Sequence, residues 1–132
     1  MISRALKPAE VHTSDALTEL ARFFAITKES AQMCPMFSSY IDQAWHTLIC
    51  TPDSYAQFSR EACGQILGHH ESLGEGQIPW VSDYEARFGK LSPLWFADAG
   101  GTVDQTAYAA YCATGEVFHS WDCTPATDDD DD

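Results

Sequence analysis

The spacing of apolar residues near the start of the chain predicts an amphipathic helix. In SDALTELARFFAITKES, residues such as Leu17, Leu20 and Phe24 recur at intervals of three and four. Ser14 is a typical N-cap, and it precedes the first of these apolar positions. The first helix is therefore predicted over residues 15–29.

The same periodicity predicts four more helices along the rest of the chain. The second helix is predicted from near Pro35 through Cys50, and the third over 52–63, where Gly64 ends it. The fourth is predicted over 82–88 and the fifth over 103–114. Residues 65–80 hold three glycines and a proline, which is typical of a loop. No alternation typical of a strand is visible. The predicted fold class is all-α: a small bundle of about four to five helices with an irregular, aromatic-rich C-terminal segment.

Length and charge limit the classes of function. The 132 residues are predicted to form one helical domain over 1–127 and a disordered acidic tail over 128–132. The net charge is −13, and the five terminal aspartates account for five of these charges, which leaves −8 on the rest. A surface this acidic repels phosphate backbones, so nucleic-acid binding is not expected, whereas a basic protein partner is compatible with it.

The chain has neither a long apolar run nor an apolar leader, so we expect no membrane segment and a cytoplasmic location. The five cysteines are an odd number and form no CxxC pair, which argues against a disulfide framework and a zinc ribbon. We therefore expect them to be reduced thiols, most of them buried. No Ser-His-Asp elbow, phosphate loop or HExxH motif is present.

The second predicted helix carries the first candidate site residues. Asp42 and His46 are four residues apart and share one helix face, which Trp45 and Ile49 make largely apolar. Such a pair has two functional interpretations. Either the carboxylate fixes the tautomer of the imidazole, or both groups bind a metal. The alternative is a structural hydrogen bond in the core.

Two adjacent histidines follow in the predicted loop. Antiparallel packing of the second and third helices would return His69 and His70 to the start of the second helix, where Asp42 lies. A third and fourth ligand are then expected from His69 or His70, and His119 or Cys123 could complete a tetrahedron. Zinc accepts mixed His, Asp and Cys ligands, so it is the favoured ion. The competing interpretation is that the histidine pair is simply solvated.

These residues resemble a known family. The block IDQAWHTLICTPDSYAQF followed by GHH is similar to that of the glycine-rich domain-containing protein-like family, an uncharacterised domain with a D-x-x-W-H, Y-x-x-F and H-H pattern. The resemblance extends over about residues 41–95 and implies that the Trp-His and His-His pairs belong to one site. It implies no reaction. The chain has Ser59 where many members have Cys, with Cys63 four residues later.

Three functions remain open from the sequence. The leading hypothesis is a small metal-binding protein, with zinc as the favoured ion, Asp42, His46 and His70 as its main ligands, and His69 and His119 as further candidates. One alternative is an acidic interaction or immunity-type protein that binds a basic partner. The other is a small enzyme in which His46, polarised by Asp42, acts as a general base.

Overall fold

The computed structural model describes residues 8–30 and 34–126, and over these the chain forms five α-helices, one 3-10 helix and two β-strands. In chain order they are α1 (Pro8–Glu29), α2 (Ser39–Ile49), α3 (Pro52–Cys63), β1 (Gly68–Gln77), α4 (Val81–Phe88), the 3-10 helix (Pro93–Phe96), α5 (Gln105–Thr114) and β2 (Phe118–Ala126). The predicted end of the domain at residue 127 and the predicted disordered tail lie outside the described residues.

The two strands correct the predicted fold class. β1 and β2 pair antiparallel, with Gly68 opposite Ala126 and Gln77 opposite Phe118, so the fold is mixed α/β and the all-α prediction is wrong. β1 has the sequence GHHESLGEGQ, which contains three glycines and no β-branched residue. Its intrinsic strand propensity is therefore low, and pairing with a segment almost fifty residues away, not local preference, makes it a strand.

A bulge sets which side chains of β1 face the helices. Glu71 pairs with Cys123 and Gly74 with Trp121, so β1 has one residue more than β2 in this interval. A bulge reverses the alternation of side chains on the strand that carries it. Odd-numbered His69 and even-numbered Gly74 therefore lie on the same face of the two-stranded sheet. Gly74 also has no space for a side chain, since a Cβ there would lie 2.5 Å from the Trp121 ring.

Two of the predicted helix starts also change. The first helix begins at Pro8, a residue that suits a first helical turn, and not after Ser14. The sequence before residue 15 has no apolar periodicity from which this earlier start could be predicted. The second begins at Ser39, capped by the Ser38 hydroxyl, which accepts a hydrogen bond from the Ile41 N–H at 3.1 Å. Pro35 lies before it, where the Met36 N–H donates to the Cys123 carbonyl at 3.0 Å.

The core is built largely from aromatic rings. Phe23 of α1 lies at the centre, with its ring centroid 5.2 Å from that of Trp80, 6.0 Å from Trp45 and 5.8 Å from Trp95. These four side chains are fully buried, and Tyr55 is nearly so. Phe58 is partly buried against the same core. Cys34, Cys63 and Cys123 are buried thiols, whereas Cys50 and Cys112 are exposed.

One carboxylate lies inside this aromatic core. Glu19 is 6% exposed, and its Oε1 accepts hydrogen bonds from the Tyr84 hydroxyl and, at 3.0 Å, from Trp95 Nε1. Arg22 Nη1 lies 3.3 Å from the other carboxylate oxygen. Burial, together with the hydrogen bond to Glu19, raises the pKa of Tyr84 to about 12, so the phenol stays a donor. Glu19 thereby joins α1, α4 and the 3-10 helix.

None of the helices within residues 8–30 and 34–126 combines the length and the apolar character that crossing a membrane requires.

Replacing Glu19 with Ala should lower the free energy of unfolding by about 2–4 kcal/mol, because a buried donor left without a partner costs about 1–3 kcal/mol and two donors lose theirs. Urea denaturation measures the change. The matched control is Glu29→Ala, also on α1, which removes only an exposed ion pair with Arg87 and should cost less than about 1 kcal/mol. Equal losses in the two variants would contradict a structural role for the buried carboxylate.

Candidate metal centre

Asp42 is the residue at which the candidate site converges. It lies in the first turn of α2 with its side chain 20% exposed. Its Oδ2 lies 3.3 Å from His46 Nε2, and its Oδ1 lies 3.3 Å from His69 Nε2. The thiol of Cys123 donates a hydrogen bond to Oδ1 at 2.9 Å. One carboxylate therefore has partners from its own helix, from β1 and from β2.

The helix spacing brings His46 to Asp42, as the sequence predicts. Side chains four residues apart lie one turn apart on the same face of a helix. His46 remains open to solvent, with 58% of its side chain exposed. Trp45, on the inner side of the same turn, is fully buried.

A chain of hydrogen bonds in the core brings the start of β1 to the same place. Trp45 Nε1 donates to the Tyr55 hydroxyl at 3.1 Å, and that hydroxyl donates to the carbonyl of Leu67. Ser59 holds the same segment, since its hydroxyl accepts from the Leu67 N–H at 2.9 Å and donates to the Gln65 carbonyl at 2.6 Å. Leu67 is fully buried and fixed by α3. The backbone two residues before His69 is thereby held against the helices.

His69 itself packs against Trp45 and His46 of α2. Its ring centroid lies 4.5 Å from that of Trp45 and 4.2 Å from that of His46, and its side chain is 16% exposed. The ligand atoms of Asp42, His46 and His69 all lie within 4.8 Å of one another. These three are the group of potential metal ligands found among the described residues.

The other predicted ligands lie elsewhere. His70 is exposed on the opposite face of β1, across from Thr124, because successive side chains of a strand alternate. His119 packs its ring on Phe37, with centroids 5.5 Å apart, and its Nδ1 lies 2.7 Å from the Ser120 carbonyl. It is four residues from Cys123, roughly 13 Å along β2. The structure thus groups Asp42 and His46 with His69, and not with His70 or His119.

The electrostatics of the centre keep Asp42 ionised. Burial by itself would raise the pKa of this carboxyl, but the hydrogen bonds from His69 and Cys123 and the nearby imidazoles outweigh it, so its pKa is lowered. Burial raises the pKa of the Cys123 thiol, and the adjacent Asp42 raises it further, so the thiol is a neutral donor. The centre accordingly offers one carboxylate and two imidazoles as ligands.

The centre opens into a cavity of about 570 Å³. Besides Asp42, His46 and His69, the lining includes Glu71, Leu73, Asp122 and Cys123. Glu71 and Asp122 were not among the predicted site residues, although each adjoins a residue that was, His70 and Cys123 respectively. They become neighbours of the site only when β1 and β2 pair. A smaller cavity of about 170 Å³ between α1 and α2 has no His, Cys, Asp or Glu in its lining.

Residues 4–75 match the UCP032817-like family, which is more than half of the 132 residues. The chain belongs to the UCP032817-like family. The matched region contains all three clustered residues, Asp42, His46 and His69, together with Tyr55 and Ser59. It ends before β2, so Cys123 and Asp122 lie outside it.

No curated protein and no solved structure matches this member of the UCP032817-like family. The narrower resemblance to the glycine-rich domain-containing protein-like family stays a prediction. That resemblance would lead one to expect Cys at the position of Ser59. In this chain the Ser59 side chain is fully buried. Its hydroxyl donates to the Gln65 carbonyl and accepts from the Leu67 N–H, so it has a structural role.

Replacing Tyr55 with Phe should lower the free energy of unfolding by about 2 kcal/mol or more. The change leaves buried Trp45 Nε1 and the Leu67 carbonyl without their partner, and each loss costs about 1–3 kcal/mol. The substitution should also speed hydrogen exchange of the Leu67 amide more than that of other core amides. A general loss of stability would instead speed exchange throughout the core.

The matched control is Tyr108→Phe, because the Tyr108 hydroxyl lies 3.4 Å from the Leu91 carbonyl and is only partly buried. Urea denaturation and hydrogen exchange measure both variants. If Tyr55→Phe were no more destabilising than Tyr108→Phe, the hydroxyl would not be what holds β1 on α3.

Proposed function

We propose that this protein binds a divalent transition-metal ion, zinc above all, through Asp42, His46 and His69. The observation that carries the proposal is the convergence of these three side chains from α2 and β1 on one point. Two imidazoles and a carboxylate are ligands that zinc accepts in proteins.

The distances suit coordination of one ion. Zinc bonds to imidazole nitrogen and carboxylate oxygen are about 2.0–2.2 Å long, so two ligand atoms of a tetrahedron lie roughly 3.3 Å apart. Each histidine Nε2 lies 3.3 Å from an Asp42 oxygen. The two rings contact different oxygens of Asp42, so an ion held by both rings would bind both carboxylate oxygens or would draw the rings towards one of them.

The charge around the site favours a cation. Three carboxylates, those of Asp42, Glu71 and Asp122, line the cavity, and no Lys or Arg is among its lining residues. The three carboxylates therefore give the lining a negative charge. A bound divalent cation would offset most of it at short range.

The other functions named from the sequence stay predictions, as does a cytoplasmic location. The general-base hypothesis requires solvent access to the Asp42–His46 pair, and the exposure of His46 meets that requirement. Trp45 and Trp80 are fully buried, so neither aromatic ring is available to contact a substrate beside this pair. For binding of a basic partner the support is still the acidic composition.

The purified protein should bind close to one equivalent of zinc, and His46→Ala or His69→Ala should weaken binding by more than about 10-fold, since loss of even an outer-shell partner costs about 10–100-fold. Competition titration against a chromophoric zinc chelator measures the affinities. Circular dichroism shows that each variant is folded.

His70→Ala is the matched control, because it removes an adjacent histidine that faces away from Asp42. It should keep the affinity of the unsubstituted protein. Folded protein that takes up no zinc would refute the proposal, and an equal loss in His70→Ala would refute the choice of ligands.

A further inference from the structure

The three clustered side chains are one ligand short of a closed zinc site. Structural zinc sites have four protein ligands, whereas sites with three leave a position for water or substrate. Within residues 8–30 and 34–126, the mutually close group contains Asp42, His46 and His69 alone. Cys123 contacts the Asp42 carboxylate as a hydrogen-bond donor, but its sulfur is outside the group of ligand atoms within 4.8 Å of one another.

The unfilled side of the site faces the cavity. His69 and Asp42 are mostly covered, with 16% and 20% of their side chains exposed, whereas His46 is 58% exposed. The cavity of about 570 Å³ begins at these three residues and is large enough for a small organic molecule. A fourth ligand would therefore enter from solvent past His46.

The rim of the cavity sets the charge of that ligand. Glu71 and Asp122 line it and are exposed. With a divalent ion bound, the charges of Asp42, Glu71 and Asp122 leave a net charge of −1. An incoming anion would meet the two rim carboxylates, whereas an uncharged nitrogen donor would not be repelled. Leu73, which is 80% exposed on the same lining, offers apolar contact for the carbon part of such a ligand.

We propose that the ion held by Asp42, His46 and His69 keeps one coordination position open to the cavity, and that this position takes uncharged nitrogen donors, such as an imidazole or an unprotonated amine, in preference to anions. The inference rests on the proposed function, because it requires a metal at this site. It adds the class of the ligand and names Glu71 and Asp122 as the residues that select it.

Cobalt(II) is the probe, because its visible absorption reports the number and type of its ligands. Imidazole and azide are titrated separately into the cobalt-loaded protein. Imidazole should shift the absorption bands in a saturable way. In the double variant Glu71→Gln with Asp122→Asn, azide should bind about 5-fold more tightly or better, whereas the affinity for imidazole should change less than about 2-fold.

Glu75→Gln with Asp53→Asn is the matched control, since it removes two exposed carboxylates that do not line the cavity. It should leave azide binding within about 2-fold. The gain in azide affinity in the rim variant should also shrink as salt is raised, because the rim carboxylates act through a screened field.

Three results would overturn the inference. The first is a cobalt spectrum that neither ligand changes. The second is a thiolate-to-cobalt charge-transfer band that disappears in Cys123→Ser, which would mean that Cys123 closes the site. The third is an azide affinity equal in the rim variant and the unsubstituted protein. Failure to bind cobalt or zinc at all would instead refute the proposed function, so the two failures can be distinguished.

Discussion

The position of β1 on the helices depends on the hydroxyl of Tyr55. It accepts a hydrogen bond from Trp45 of α2 and donates one to the backbone of Leu67, all inside the core. A buried carbonyl or indole N–H without a partner is costly, so this arrangement is strongly preferred over alternatives that displace Leu67. Ser59 adds two further bonds to the same segment. Because the strand starts at a fixed point, His69 arrives beside Asp42 as a consequence of core packing.

The carboxylates of Glu19 and Asp42 are both largely shielded from solvent, but they differ in role. Glu19 accepts hydrogen bonds from a phenol and an indole and pairs with the guanidinium of Arg22, and it acts as a hydrogen-bonded joint between helices. Asp42 is more exposed, and its partners are two imidazoles and a thiol at the edge of a cavity. The donors of Glu19 are fixed by the core, whereas the imidazoles of Asp42 can exchange a hydrogen bond for a bond to a metal ion. This difference in partners, more than burial, separates the structural carboxylate from the candidate ligand.

The residues of the D-x-x-W-H and Y-x-x-F block fall into two groups with different roles. Asp42 and His46 are potential ligands, while Trp45 and Tyr55 hold the strand that supplies the third, His69. The region that matches the UCP032817-like family contains both groups but not β2. The strand outside the match provides Cys123, which donates to Asp42, and Asp122, which lines the cavity. The part of the chain inside the family match therefore contains the three potential ligands, and the part beyond it contributes to their surroundings.

Local spacing was sufficient to predict the presence of five helices, though not where the first two begin, and the pairing of Asp42 with His46, because helical periodicity depends on residues three and four apart. It was not sufficient for the strands, since GHHESLGEGQ has no strand propensity and is ordered by a partner segment about fifty residues later. The choice of His69 over His70 depends on the strand alternation, and the position of Glu71 depends on the same pairing. The contact of the Trp121 ring with Gly74 and the bulge in β1 likewise form only when β1 and β2 pair. Contacts between distant segments carry no periodic signal in a single sequence, so these features had to come from the folded chain.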